Sequence, residues 1–461
     1  LYSVALAAVS FSSCSLEENN PAGFTKENLA TSIEGYETLV NQCYFAMERY
    51  FYGTDSWMSL TEGDSDLWTY QANQSTSYTQ WFWFFAGASP NTTYTNNWWN
   101  GTYDGVGSCN EAIALAGYAP YKTEAERNAK VAEARFLRAI YYFNAVEQFG
   151  GVTMLTEPET TLNYAPERTD PLTIYKEVII PDLEYAVEWL AVGTHATTTV
   201  PTKKAALGFL AKACLQTYEY GSTEYLQKAL DSAKELIADC ESGGAKYNAY
   251  MYPTYEEVFK ESNNWENKEA LWKHRYVAGG VSNQAWIMNQ NNEQFYCPLT
   301  AFSAFQFKTD LHSGNKYDGL SDYQIADRRA GGTFMPSKFL LDLYVQEDGT
   351  LDPRYHKFFQ TSWTCNKDKG QAWSESQAKL FEKNIESPEI STMQINETTG
   401  ELVRVYSKFE FDEKALEFIR PGEERYAEKV AVKRDAKILY VDYNDLYSED
   451  NTVIMKYHRE D

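Results

Sequence analysis

The chain lacks the minimal site of most enzyme classes. Across 461 residues there is no H-E-x-x-H, no G-x-S-x-G, no P-loop and no dinucleotide-binding glycine fingerprint. Zinc-dependent hydrolysis, serine hydrolysis at a nucleophile elbow and nucleotide chemistry therefore have no recognisable seat. Positive charge is also scarce: 41 Lys and Arg stand against 65 Asp and Glu, a formal net charge of −24. Such a field repels phosphate backbones and anionic headgroups, so nucleic acid is excluded as the expected partner. None of the seven cysteines (14, 43, 109, 214, 240, 297 and 365) falls in a C-x-x-C pair, and no His sits at zinc-finger spacing. Neither a zinc site nor a disulfide framework is expected. Cys214 and Cys240 fall on apolar helix positions and read as small buried thiols. One absence excludes less than the others. A glycosidase needs only two carboxylates at the right separation, and 65 acids supply many pairs.

Aromatics, in contrast, are abundant, at 15% of the chain with 35 Tyr as the main cause. Tyr and Trp carry an apolar face and a polar tip, which suits wet binding surfaces. Sugar rings present apolar C–H faces and equatorial hydroxyls. A binder of sugars needs flat rings for the former and Asn, Asp, Gln or Arg for the latter. Residues 57–103 hold Trp57, Trp68, Trp81, Trp83, Trp98 and Trp99, interleaved with Asp64, Asp66, Asn73, Gln74, Gln80 and Asn91. A second dense zone, 263–297, offers Trp265, Trp272, Trp286 and Tyr296 among many amides, Asn289 included.

The run "WFWFF" at 81–85 is the densest point. As a strand it puts Trp81, Trp83 and Phe85 on one face and Phe82 and Phe84 on the other. One face can then be core, with Phe82 and Phe84 expected to be buried, while the other stays available. Other aromatics have blander readings. Trp99 and Tyr103 lie on one face of a predicted helix and read as core, as does Trp57. Trp272 adjoins helical "KEAL" and reads as packing. Trp286 and Tyr296 fit either packing or binding. Asp64 and Asp66 in "EGDSD" fit a turn cap better than a Ca²⁺ loop, which needs more ligands on a rigid twelve-residue frame. "YDGLSD" at 317–322 is equally weak, so no metal or other cofactor is expected and Ca²⁺ stays the alternative.

From about residue 105 the apolar pattern is helical. Ala129, Ala132, Phe136, Ala139, Phe143 and Val146 recur every three or four positions, and Gly150 and Gly151 end the run. Asp170 followed by Pro171 marks a helix start, and Pro181 predicts a kink. The helices come as antiparallel pairs: 109–118 with 126–148, then 171–190 with 203–220, with 223–240 beginning a third. Gly221 and Ser222 make the last turn. Small residues at Ala205, Ala206, Ala211, Ala213, Ala229 and Ala233 allow close contact. The result resembles tetratricopeptide packing without a clean 34-residue repeat. Past about 245 the periodicity fades into polar, Trp- and Tyr-rich loops. The expected fold is mainly α: a tetratricopeptide-like scaffold of helical pairs with a loop-rich second lobe.

At the N-terminus, residues 1–11 are apolar and small, too short to span a bilayer and similar to the core of a secretion signal. "FSSC" then resembles a bacterial lipobox, with Cys14 as the lipidated residue. The polar, turn-rich stretch after it suits a tether. Glu17 and Glu18 resemble an export tag of surface lipoproteins.

Two stretches carry a family resemblance. "EARFLRAIYYFNAVEQFGGV" (133–152) closely resembles the signature helix of the RagB/SusD family of nutrient-binding outer-membrane lipoproteins, with Thr153 where a Pro usually follows. "NNWWNGTYDGVGSCNEAI" resembles the family's W-x-x-L-Y-x-x-I-x-x-x-N helix through Trp99, Tyr103, Val106 and Asn110, with Thr102 in place of Leu. Weaker matches follow in order: "RTDPLTIYKEVIIPDLEYA", "PTKKAALGFLAKACL" and "PSKFLLDLYVQEDGTLDPRYHKFF", the last with Asp352 and Arg354.

The resemblance implies a binding protein, not an enzyme: a lipid-anchored, surface-exposed outer-membrane protein that captures oligosaccharide and lies over a SusC-like TonB-dependent transporter. The charge of −24 makes a neutral glycan the expected ligand. Its implied site is an aromatic arc with flanking polar groups: Asp66, Trp68, Trp81, Trp83, Asn91, Trp286, Asn289 and Tyr296. The expected layout is a partial signal peptide (1–13), a lipidated tether (14–30), a helical scaffold (31–244) with an aromatic-rich insertion (57–100), and a ligand-binding lobe (245–461). Two other readings share these features, a surface adhesin holding a protein and, further off, a glycoside hydrolase. The family's last helical pair has no counterpart before Asp461, so a chain ending there is expected to expose an apolar face that a longer one covers.

Overall fold

The computed structural model describes residues 25–51, 60–61, 65–70, 93–161, 164–193, 199–263, 266–273, 334–336 and 338–355, and beyond them six short strands between 362 and 440. The helices α1 (Lys26–Ala30) and α2 (Ile33–Ala46) are each started by a hydroxyl cap. Thr25 accepts from the Asn28 N–H at 3.2 Å and Ser32 from the Gly35 N–H at 3.0 Å. A π-helical turn, Met47–Phe51, ends α2. It is fixed from outside: Tyr141 Oη accepts from the Met47 N–H (3.2 Å) and donates to the Cys43 carbonyl (2.6 Å).

The next helix, α3 (Thr93–Leu115), starts well before the 109 read from periodicity. Its N-terminal half is rich in Asn and Gly, which look like loop in isolation. The glycines are needed for packing. A Cβ at Gly105 would sit 2.4 Å from the Tyr141 ring, and one at Gly101 would sit 2.5 Å from Tyr50 Cβ. Thr102, where the family pattern has Leu, is fully buried and satisfies its hydroxyl on the Trp98 carbonyl at 3.0 Å.

The signature helix is α4 (Glu124–Phe149), the centre of the core. A capping box starts it, with Thr123 and Glu126 each accepting from the other's backbone N–H at 3.2 and 3.1 Å. Gly150 ends it at φ +68°, as expected. Phe136, Tyr141 and Tyr142 are fully buried on it. The helix α5 spans 171–189 without a break in helical backbone, capped by Asp170 on the Thr173 N–H (3.2 Å). The kink expected at Pro181 takes the form of a π-helical turn, Tyr175–Ile179, one turn upstream. Proline removes one N–H and crowds the carbonyl four residues back, and a widened turn relieves both. Two more helices complete the array, α6 (Lys203–Gln216) and α7 (Leu226–Glu241). Gly221, at φ +81°, turns the chain between them as read from sequence. Ala205, Ala206, Ala213 and Ala229 are buried, while Ala211 and Ala233 are half-buried.

The helices pack as sequential pairs: α2 on α3, α3 on α4, α4 on α5, α5 on α6 and α6 on α7. Past α7 the described elements are short. They include the helices α8 (Tyr255–Val258) and α9 (Lys338–Asp342). Strand pairs also occur there, for example Ser391–Ile395 with Leu402–Tyr406. Among the described residues no helix is long and apolar enough to cross a membrane.

One buried polar node joins three helices. Arg138 (α4) forks onto Asp182 (α5) through Nε and Nη2 at 2.7 and 2.9 Å. Its Nη1 donates to Asn110 Oδ1 (α3) at 2.7 Å and to the Thr156 carbonyl at 3.1 Å. Asn110 in turn donates to the Leu155 and Glu157 carbonyls at 3.1 and 3.2 Å. Burial pushes the Asp182 carboxyl up, and Arg138 and then Arg135 pull it part of the way back. Removing one member of such a pair strands a buried charge. Asp182→Ala is expected to lose about 3–5 kcal/mol of stability, read by urea unfolding. A midpoint equal to wild type would refute the role assigned to the node.

Candidate functional site

The candidate site is organised by a small strand pair. Asp66 and Leu67 form an exposed turn, and β1 (Trp68–Tyr70) follows. It pairs antiparallel with β2 (Phe334–Pro336), Trp68 opposite Pro336 and Tyr70 opposite Phe334. Proline lacks a ladder donor and belongs on such an edge. This pairing ties the first aromatic zone to residues 334–336, a connection that no local pattern in the sequence announces. Trp68 is half-buried there and Asp66 exposed, so a ring and a carboxylate both reach the surface.

The residues that carry the family resemblance serve the scaffold. Trp98 is buried against Phe51, centroids 4.8 Å apart, and donates to the Asn144 carbonyl at 3.4 Å. Trp99 is half-buried against Tyr103 and Phe149, at 5.0 and 5.3 Å. Tyr103 donates to the Thr153 carbonyl at 2.9 Å. The core reading of Trp99 and Tyr103 holds, and so does the packing reading of Trp272. Its ring meets Phe136 edge-on at 5.3 Å, and its indole N–H donates to the Thr199 carbonyl at 2.7 Å. The other candidates, Cys14, Trp57, Trp81, Phe82, Trp83, Phe84, Asn91, Trp286, Asn289 and Tyr296, lie outside the described residues. Asp64 does too, and among the described residues no cluster of His, Cys, Asp or Glu could hold a metal ion.

The start of the second lobe is bolted to the helices by ionic groups that the sequence reading passed over. Asp239, near the end of α7 and buried, accepts three backbone N–H bonds from Lys246 (2.7 Å), Tyr247 (2.9 Å) and Ala249 (3.0 Å). Lys204 on α6, also buried, donates to the carbonyls of Asn248 (3.3 Å) and Lys268 (2.5 Å). Burial, and then the charge of Lys273, push the Lys204 ammonium down to about 8. The Tyr252 N–H donates to Glu269 at 2.8 Å. These contacts hold residues 246–273 at a fixed place on the array, so the polar segment between them leaves the scaffold from a rigid base.

With this geometry, the chain can be set beside known proteins. Residues 18–215 match the SusD-like family described as "Starch-binding associating with outer membrane". The chain is similar to SusD-like protein P2 of Formosa agariphila, 28% identical over 190 residues that cover 41% of this chain and 35% of that protein. It is also similar to a SusD-like protein of Bacteroides ovatus, 28% identical over 269 residues, 54% of this chain and 45% of that one. The chain thus spans less than half the length of these curated relatives. A SusD superfamily protein from Parabacteroides distasonis superposes with a TM-score of 0.51 at 22% identity, covering 73% of this chain and 64% of the other. A laminarin-binding SusD-like protein does so at 0.53 and 20%, covering 72% and 66%. A structure with xylogluco-oligosaccharide matches at 0.50 and 21%, covering 73% and 62%. At these identities the likeness establishes the fold, the mainly helical, tetratricopeptide-like architecture described above.

Asp239 makes a testable anchor. Burial alone would push its carboxyl up, but the three backbone donors, and then Lys204, outweigh burial and hold it below the ordinary carboxylate value. A carboxyl with a depressed folded pKa contributes stability above its unfolded value, about 3.9, and loses it as pH falls through the lower folded one. The hold on the 246–249 segment should therefore be complete above about pH 4 and fail in stronger acid. In Asp239→Ala three donors lose their acceptor, each worth about 1–3 kcal/mol when left buried. Amide exchange at Lys246, Tyr247 and Ala249 is expected to speed up at least about tenfold at neutral pH. Unchanged exchange at these amides would refute the anchor.

Proposed function

From the match of residues 18–215 to the SusD-like family, we propose that this protein binds carbohydrate at the outer membrane, capturing oligosaccharide or polysaccharide for import. The family is one of outer-membrane-associated, carbohydrate-binding proteins, and its members bind rather than cut. Within the chain, the observation that carries the reading is the β1–β2 pairing. It joins the half-buried Trp68 and the exposed Asp66 to residues 334–336. Trp68 then offers a ring face for C–H contact and Asp66 a polar group for hydroxyls, side by side on one held segment. Trp81, Trp83, Asn91, Trp286, Asn289 and Tyr296 are the further contacts proposed.

A formal charge of −24 favours neutral glycans over uronates. Relatives of this fold support that class, since one solved neighbour binds laminarin and another was solved with a xylogluco-oligosaccharide. Cys14 supplies the lipid anchor in this proposal, and a SusC-like TonB-dependent transporter receives the glycan.

Affinity electrophoresis through gels holding laminarin, xyloglucan, amylopectin and an acidic polysaccharide tests the ligand class. Retardation is expected with at least one neutral glycan and not with the acidic one. Trp68→Ala, Trp83→Ala and Trp286→Ala, with spectra showing intact folds, should each weaken retention by about tenfold, the order expected for one stacked ring. No retardation in any gel would favour a protein-binding adhesin, and new reducing ends after incubation would overturn the binding-only reading. For the transporter, pull-down through a tag on this chain from detergent-extracted native membranes should recover an outer-membrane barrel. Repeated recovery of the lipoprotein alone would count against that partner.

A further inference from the structure

The segment that β2 leads into turns apolar side chains to solvent. Phe339 on α9 is 54% exposed, and Leu343, just past the end of that helix, is 60% exposed. The Leu343 N–H donates to the Phe339 carbonyl at 3.1 Å, so the two residues stand one helical turn apart, on the same side. Other residues hold the segment down. Leu341 is fully buried, and Tyr344 meets the buried Tyr355 edge-on, centroids 6.1 Å apart. An anchored segment thus leaves a ring and a branched apolar chain side by side at the surface. Adjacent exposed apolar groups of this kind mark contact surfaces.

A tight turn brings polar groups to this strip. The Asp352 N–H donates to the Tyr344 carbonyl at 2.7 Å, which seats Asp352 against the residue that follows Leu343. Val345 bridges Leu351, and the Gln346 N–H donates to the Thr350 carbonyl at 2.8 Å. Arg354 Nε and Nη2 donate to Asp352 Oδ1 and Oδ2 at 2.9 and 2.7 Å, and the Arg354 backbone N–H donates to Oδ1 at 2.8 Å. The guanidinium is therefore held in one orientation although its side chain is 56% exposed. An arginine has five N–H donors, and the fork uses two of them. Nη1 keeps both of its donors for a ligand. The strip also lies close to the candidate site, because Trp68 faces Pro336 across the β1–β2 pair and Phe339 follows three residues later. A cross-strand pair stands about 5 Å apart and three residues of chain reach at most about 11 Å. The Cα atoms of Trp68 and Phe339 are therefore within about 16 Å of each other.

These features select a ligand. As a unit the fork is neutral, so an anion gains little from it, and the net charge of −24 opposes one. What fits is an uncharged molecule with apolar faces for Phe339 and Leu343 and hydroxyls that accept from Nη1. A neutral sugar chain has both. We infer that Phe339, Leu343 and the Arg354 guanidinium extend the Trp68 site and take further neutral sugar units of the same glycan chain. The inference rests on the carbohydrate-binding function proposed above and adds residues that the candidate site does not include. Two contacts on one polymer raise its apparent affinity without either being tight. A glycan long enough to reach both is then held better than a short one.

The test uses the full chain in the laminarin, xyloglucan and amylopectin gels, comparing wild type with Phe339→Ala, Phe339→Trp and Arg354→Lys. These side chains are exposed, so the variants are expected to keep the wild-type circular dichroism spectrum. In the gel that retards wild type most, Phe339→Ala and Arg354→Lys should each weaken retention by about three- to tenfold, the order expected for one ring or one fixed donor. Arg354→Lys keeps the charge beside Asp352 and removes only the planar fork and its Nη1 donors. Phe339→Trp, which keeps a ring face, should retain wild-type binding. Wild-type retention by Phe339→Ala or by Arg354→Lys would overturn the inference and leave the carbohydrate reading standing. No retardation of wild type in any of the three gels would remove that reading, and the inference with it. If a variant misfolds, hydroxyl-radical footprinting of the wild type decides the question. Protection of Phe339 and Leu343 by the retarding polysaccharide supports the extension, and equal labelling with and without it overturns it.

Discussion

The helical array depends on the environment of one guanidinium. Arg138 is buried in the middle of the longest helix, where an unpaired charge would be untenable. Its fork onto Asp182, its bond to Asn110 and its bond to the Thr156 carbonyl satisfy four of its five donors. In doing so they set the relative placement of α3, α4 and α5 and pin the 155–157 segment against them. An apolar contact at the same place would be as stable and far less demanding of geometry. The polar node trades tolerance for register, because each partner must arrive within hydrogen-bond distance or leave a buried group unsatisfied.

Around that node the structure separates holding from presenting. The aromatics of α3 and α4 are consumed by packing: Trp98 on Phe51, Trp99 on Phe149, and Tyr141 on the end of α2. The buried ions Asp239 and Lys204 then fix the start of the second lobe through backbone groups of Lys246, Tyr247, Asn248, Ala249 and Lys268, while Trp272 packs its side chain on the array. On that held segment Tyr250, Tyr255 and Phe259 nonetheless stay exposed. The β1–β2 pair does the same for the segment around Trp68. Rings offered to solvent from rigid supports lose little freedom on meeting a ligand, and that preorganisation is what weak sugar contacts require.

Charge shapes the choice of ligand at a distance. With 65 acids against 41 bases, an uncharged glycan meets no long-range barrier, whereas a polyanion does. Several of the described basic groups answer a neighbouring carboxylate, as Arg354 answers Asp352, Lys176 answers Glu224 and Lys228 answers Glu184.

Much of the scaffold was legible one residue at a time. The capping pair Asp170–Pro171, the terminating Gly150, the turn at Gly221 and the apolar period of α4 are local signals, and each acts within one turn of chain. Apolar periodicity alone put the start of α3 too late, because Gly101 and Gly105 look like loop residues until Tyr50 and Tyr141 arrive from elsewhere to need their missing Cβ atoms; only the resemblance to a family helix marked Trp99 and Tyr103 as helical. The same limit applied to the site. Local composition marked Asp66 and Trp68 as candidates, and it could sort Trp99, Tyr103 and Trp272 into packing from the helical pattern beside them. It could not bring Trp68 to Pro336, Asp182 to Arg138, or Lys204 to the Lys268 carbonyl. Those contacts join residues distant in the chain, and their energies depend on distances that exist only once the helices have packed.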